Sequence, residues 1–293
     1  MLINAATLNS FYVGLSAVFQ GALSTAESQY QKIAMVVPST TAANAYPWLG
    51  SLSSMQKWVG ERTIRNLKAH KYTIDNEKFE LTIAVSRDHL EDDQIGIYNP
   101  MFADMGAQAG IHPNQLVFEL LQKGHQSVCY DGQYFFDTDH PVGDGSVSNS
   151  LGDDSSEPWY LMCTTRPVKP IIFQTRRPYT LTRKDSPTDD NVFMRGEYLY
   201  GVDARVAVGF GLWQCAVRCT SPLTDATYAE ARALMRSYHN DEGVPLGLVP
   251  NLLVVPGTLE AAGLELLNSQ LVKGGESNKW YNTAELLVCP WLG

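Results

Sequence analysis

The chain is 293 residues long, with 22 Lys+Arg against 31 Asp+Glu for a formal net charge of -9, and it is 44% hydrophobic but only 18% charged. Aromatic residues at 10% exclude a disordered chain, and the acidic balance argues against a dedicated nucleic-acid binder, which carries a basic excess. A mass of 32.4 kDa corresponds to roughly 12,000 Å² of compact folded surface, which allows one large core or two domains.

Residues 7–24 are predicted as an amphipathic helix. Leu8, Phe11, Tyr12, Leu15, Phe19, Ala22 and Leu23 recur at helical spacing, and Thr7 is placed to cap the start. Periodicity fits equally a core helix and an arm that lays its stripe on another copy of the chain. The first basic residue is Lys32, so no signal peptide is expected, and no run reaches the roughly 18 apolar residues of a membrane span.

Residues 38–60 combine turn formers with aromatics (Pro38, Asn44, Pro47, Trp48, Gly50, Trp58, Gly60) and read as a loop or hairpin. Charge then separates along the chain. Lys57, Arg62, Arg65, Lys68 and Lys71 face the single acid Glu61, whereas 75–93 holds seven acids and two bases. Within the acidic part, Phe79, Leu81, Ile83 and Val85 alternate with smaller or polar residues, as in a strand with one buried face. The basic projection is a candidate for docking on the acidic surface of a neighbouring copy, where charge complementarity sets register.

Residues 99–123 are predicted as a long helix of roughly 36 Å, with Asn99 as cap, Pro100 in the first turn and Gly124 as stop. Pro113 is expected to kink or break it near Ile111. Strands and loops follow, with β-rich stretches at 159–162, 168–174 and 198–219; Gly201, Gly209 and Gly211 suggest bends or bulges, and Gly209-Phe210-Gly211 in particular reads as a packing or bulge site. The last part returns to α/β alternation: a helix capped by Thr224 with Tyr228, Ala231, Met235 and Tyr238 on one face, a strand at 252–255, a helix at 258–267, a polar loop at 273–279 and a strand at 284–289. The composition places a domain boundary near Pro222. The fold class is α+β.

The five cysteines, Cys129, Cys163, Cys215, Cys219 and Cys289, are odd in number and lack a secreted framework's spacing, so reduced thiols made in a cytoplasm are expected. Asp137, Asp139 and His140 offer hard oxygens and one imidazole. They motivate one alternative, a soluble cytoplasmic metallo-enzyme, although the same residues before Pro141 also make an ordinary polar turn. No nucleophile elbow and no phosphate-cradling loop occur. No enzyme, no cofactor, no metal site and no catalytic residue is therefore expected.

Several stretches together resemble a known family: SQYQKIAMVVPSTTAANAYPWLG (28–50), KWVGERTI (57–64), SRDHLEDDQIGIYNPMF (86–102), CYDGQYFFDTDHPV (129–142), PVKPIIFQTRRP (167–178), VFMRGEYLYGVDARVAVGFGLWQ (192–214) and the long run from Leu234 to Asn268. Their joint occurrence, in order and over nearly the whole chain, resembles the major head (capsid) subunit of Mu-like tailed phages and prophages. That family has the Hong Kong 97-type capsid fold. The resemblance implies an N-terminal arm (1–45), an extended loop (46–95), a peripheral domain (96–222) with its spine helix at 99–123, and an axial domain (223–293). It implies a structural subunit that self-assembles into pentamers and hexamers of an icosahedral virion head, made in the bacterial host cytoplasm. The implied partners are further copies, portal, scaffold and decoration proteins, and packaged double-stranded DNA held without sequence-specific contacts; no membrane is implied. The expected contacts between copies are Leu8, Phe11, Leu15, Phe19, Trp48, Lys57, Arg62, Arg65, Lys68 and Lys71.

Overall fold

The computed structural model describes residues 4–50, 72–92, 95–153, 155–272 and 274–292. The chain opens on helix α1 (Ala5–Thr25). Asn4 caps it, accepting from the Thr7 N–H at 2.9 Å, and the Thr7 hydroxyl accepts in return from the Asn4 N–H at 3.0 Å. Thr7 therefore closes the capping box and does not itself cap. A short turn, α2 (Tyr30–Ile33), leads into β1 (Ala34–Pro38), β2 (Ala43–Ala45), β3 (Thr73–Asp75), β4 (Glu77–Ser86) and α3 (Arg87–Glu91).

Helix α4 (Asn99–Gln122) is the long element the spacing predicts, but it is not broken. Pro113 lies inside one continuous helix and is buried. The lost backbone bond is outweighed by packing on both sides of it: Phe102, Met105 and Ala109 enter one apolar cluster, and Val117, Phe118 and Leu121 enter another. Asn99 makes no side-chain cap. Small residues set how α1 meets α4. A Cβ at Gly106 would stand 2.4 Å from the Phe19 carbonyl oxygen, and one at Gly110 2.3 Å from the Ala26 Cβ. The backbones can approach this closely only because both positions are glycine.

Two sheets follow from the rest: β5 (His140–Val142) and β6 (Gly145–Val147) pair as a small hairpin, then come β7 (Ser150–Leu151), β8 (Trp159–Met162), β9 (Ile171–Lys184), α5 (Asp190–Arg195), β10 (Glu197–Phe210), β11 (Ala216–Cys219), α6 (Asp225–Arg236), β12 (Leu252–Pro256), α7 (Glu260–Leu267) and β13 (Glu285–Cys289). The first sheet has the order β1-β9-β10-β4 and the second β13-β12-β8-β11-β7. β8 and β12 are buried along their whole length, as strands covered on both faces must be. α6 begins at Thr224 with a capping box and buries Tyr228, Ala231 and Met235.

Three sequence expectations change here. The second sheet takes β8 and β11 from before Pro222 as well as β12 and β13 from after it, so the compositional break at Pro222 is not a break between sheets. The reason is a long-range pairing, Leu252–Val254 against Tyr160–Met162, which local composition cannot carry. Register irregularities in β10 fall at Asp203–Val206 and not at the glycines. Gly209 takes the packing role that was one of the two expected of it: it makes room for Ile74, whose Cδ1 would lie 2.2 Å from an added Cβ. Finally, β4 buries only Val85 fully, and Leu81 remains 42% exposed, because β4 is an edge strand.

One further feature links the sheets. β8 and β11 are antiparallel, as are β9 and β10, and between them Cys163 N–H donates to Cys215 O (2.9 Å) and Gly211 N–H to Pro170 O (2.7 Å). The four strands are thus one bent two-stranded ribbon whose tip is α5.

Candidate functional site

The apolar stripe of α1 is spent within the chain. Leu8, Phe11, Leu15 and Phe19 are buried in one cluster with Phe102 and Met105 of α4 and with Leu181, Tyr198, Tyr200 and Val202 of the first sheet. Phe11 and Phe102 both meet the Tyr200 ring edge-on, at 5.9 and 5.6 Å, and the Tyr12 hydroxyl donates to Leu181 O at 2.9 Å. Each fully buried side chain of this size contributes about 1.5–3 kcal/mol. The core-helix alternative therefore describes these four residues, and they are corrected from contacts between copies to contacts within one. Trp48 is 37% exposed beside the buried Tyr46. Lys57, Arg62, Arg65, Lys68 and Lys71 lie outside the described residues.

The trio Asp137, Asp139 and His140 does not converge. Asp137 accepts from the Tyr134 and Thr138 N–H groups as an ordinary turn carboxylate, and Asp139 is exposed while His140 is wholly buried. His140 stacks on Trp213 with centroids 4.0 Å apart. Its Nδ1 lies 2.8 Å from Asp131 Oδ2 and its Nε2 3.1 Å from Asn149 Oδ1. Cys129 Sγ lies 3.0 Å from Asp131 Oδ1. Burial pushes the Asp131 carboxyl up, but the hydrogen bonds from His140 and Cys129 more than offset it and leave the group below its usual range. Burial, with the Asp131 charge beside it, drives the Cys129 thiol well up, so it is no ready nucleophile.

The concavities among the described residues do not look catalytic. A groove of about 630 Å³ runs along α1, and none of its lining residues (Ala6, Thr7, Ser10, Phe11, Gly14, Leu15, Val18, Asn99) is ionisable. A pocket of about 170 Å³ between α4 and the first sheet holds His112, Tyr179 and Glu80. His112 Nδ1 bonds the Tyr179 hydroxyl at 2.6 Å, while Glu80 turns to Thr82; burial lowers the His112 pKa. These groups form no acid–base relay.

What the surface offers is apolar. Phe193 and Met194 are 87% and 74% exposed at the ribbon tip, held out by Val192, which is buried. Ile97 and Met101 are exposed at the start of α4, and Leu271 and Val272 at a loop closed by the Val272 N–H to Glu276 O bond. Exposed apolar clusters of this kind mark interaction surfaces.

The model of the Mu-like prophage major head subunit gpT family matches residues 8–292. The chain belongs to the Mu-like major head subunit family. Its relatives include the major capsid protein of Escherichia phage Mu, 43% identical with both chains covered in full, and the Mu-like prophage FluMu major head subunit of Haemophilus influenzae, 40% identical over 90% of this chain and 89% of that one. Among solved structures, this Mu-like subunit is similar to the procapsid of bacteriophage JBD30, with a TM-score of 0.89 and 40% identity over 99% of this chain and 100% of that one. It is also similar to the JBD30 capsid, with a TM-score of 0.81 and 31% identity over 100% of each. The fold is of the Hong Kong 97 type, and the Mu-like subunit is a major capsid protein, a structural component of a phage head. The metallo-enzyme alternative is not supported. No described helix is long and apolar enough to cross a membrane.

Sequence reasoning missed the exposed Phe193–Met194 pair and the Cys129–Asp131–His140 cluster. The first had a signal, two large apolar residues in the acidic, polar segment 185–197. The second had none, because a tertiary turn brings residue 131 back to residue 140.

Proposed function

We propose that many copies of this chain form pentamers and hexamers that close an icosahedral head around double-stranded DNA, assembling in the cytoplasm of a bacterial host. The observation that carries this reading is the likeness to JBD30 procapsid and capsid subunits over essentially the whole chain. The net charge of -9 suits a container that encloses a polyanion without gripping it by unscreened attraction.

In this reading α1 belongs to the N-terminal arm (1–45), α4 with β9 and β10 makes the peripheral domain, β1 of the arm and β4 of the extended loop add at the edges of its sheet, and the second sheet with α6 and α7 makes the axial domain, its polar loop at 273–279 turned to the capsomer centre. Residues 46–95 make the extended loop, whose Trp48, Lys57, Arg62, Arg65, Lys68 and Lys71 dock on an adjacent copy. A portal, a scaffold and decoration proteins are the further partners; one solved JBD30 capsid is described as decorated with minor capsid protein trimers.

Electron microscopy of the purified chain tests the reading. Shells or capsomers are expected, and Arg62→Glu with Arg65→Glu is expected to leave folded subunits that do not assemble. A chain that stays monomeric at high concentration under every assembly condition overturns the reading. Normal shells from the double variant overturn the docking role of the basic residues.

A further inference from the structure

The atoms around His140 define a tautomer. Asn149 Nδ2 faces three carbonyl oxygens, those of Phe135, Trp213 and Ala216, at 2.8, 3.4 and 3.3 Å. Its Oδ1 accepts from the Asp137 N–H at 2.9 Å. The amide therefore has one orientation, and the His140 Nε2 that meets Oδ1 at 3.1 Å carries a proton. Nδ1 is left facing Asp131 Oδ2 at 2.8 Å. A ring lone pair and a carboxylate oxygen repel at that distance unless a cation lies between them, either a second ring proton or a metal ion.

Cys129 tips the choice. Its Sγ stands 3.0 Å from the other oxygen of Asp131, and one ligand atom from each of Cys129, Asp131 and His140 lies within 4.8 Å of the others. A ring proton and the thiol proton satisfy the two Asp131 contacts one at a time, whereas a single ion would hold all three donors together. The turn that carries Cys129 and Asp131 is tight: Gly132 adopts φ 93, a left-handed backbone that favours glycine, and Cys129 N–H donates to Gln133 O at 2.8 Å.

We propose that Cys129, Asp131 and His140 hold a structural zinc ion, with a fourth position left for water. A mixed sulfur, nitrogen and oxygen set suits zinc. The Asn149 amide plays the part of the outer partner that orients a ligating imidazole. One thiolate, one carboxylate and a neutral ring cancel the charge of a divalent ion, so no net charge is buried. On binding, the thiol proton and any second ring proton leave to solvent. The site is not catalytic: Cys129 is 4% exposed and His140 0%. It shares only His140 with the trio weighed from the sequence, and it would pin the 129–140 segment beneath Trp213.

The full-length protein is purified without chelator, then stripped and re-exposed to zinc chloride, and its metal is counted by plasma mass spectrometry. About one zinc per chain is expected, falling to background in Cys129→Ser. Cobalt(II) in place of zinc is expected to give a thiolate-to-metal charge-transfer band that Cys129→Ser lacks. Less than about half an equivalent of zinc in the wild-type chain, or undiminished zinc in Cys129→Ser, overturns the proposal. So does bound cobalt without the wild-type band, which marks an adventitious surface ion; this last measurement stands even if the variant fails to fold.

Discussion

Two buried asparagines, Asn114 and the Asn149 that faces His140, hold more of this molecule together than their number suggests. Asn114 accepts from the Gln29 and Tyr30 N–H groups at 3.0 and 2.9 Å and donates to Glu27 O at 2.8 Å. It stitches the segment after α1 to the spine of the fold. Asn114→Ala strands two donors and one acceptor and is expected to cost about 2–4 kcal/mol, read by chemical denaturation of the unassembled subunit. His112 gives a pH dependence. Its folded pKa is lowered by burial, so the unfolded chain binds the proton more readily, and this contribution to stability is present above about pH 6.5 and fades as pH falls below it. His112→Gln is expected to flatten that part of the stability–pH curve; an unchanged slope between pH 7.5 and 5 speaks against it. Neither asparagine was legible in the sequence, because a polar residue in the apolar stripe of a helix (Asn114) or in a Gly/Ser-rich stretch (Asn149) gives no sign of its distant partners.

At the level of elements, periodicity served well where one face is buried. α1, α4 and α6 lie close to where their apolar spacing puts them, and Thr224 caps α6 as expected. It failed to say what covers the α1 stripe, since a core neighbour and another copy demand the same pattern. With the stripe buried on α4, removing residues 1–24 exposes Phe102, Met105 and Tyr200, and the expected product is insoluble chain, not folded monomer. Gly106→Val tests the same seam. Added volume against the Phe19 carbonyl is expected to destabilise the subunit by about 1–3 kcal/mol and to make α1 the first site of limited proteolysis. The ribbon tip should behave in the opposite way. Phe193→Asp with Met194→Asp removes only exposed apolar surface, so melting should shift little while sedimentation shows loss of assembled particles. Assembly at the wild-type level would show that the tip is not a contact between copies.

For the molecule as a whole, the fold class and the family were legible because many short stretches recur in order along the chain. Sheet membership was not, because β8 meets β12 across about ninety residues of sequence and no local signal records that pairing. The second sheet is consequently inseparable from the first part of the chain. A fragment of residues 223–293 would carry β12, apolar along its length, without β8 beside it, and an unpaired edge of that kind aggregates. Expression of this fragment is expected to give inclusion bodies; a soluble, cooperatively melting fragment would contradict the topology.

The bent ribbon has a mechanical consequence. Its two strands run side by side from Trp159 and Cys219 in the second sheet to Lys184 and Glu197 near the tip, and ladder pairing gives way to single backbone bonds only around 163–170 and 211–215. Such a strip acts as a leaf spring: stiff within its own plane, compliant across it, and weakest where the cross-ties thin out. Bending about that region would leave both sets of strand pairings intact, whereas shear between the sheets would break them; what resists the bend is the packing of Leu212, Trp213 and Cys215 in the shared core.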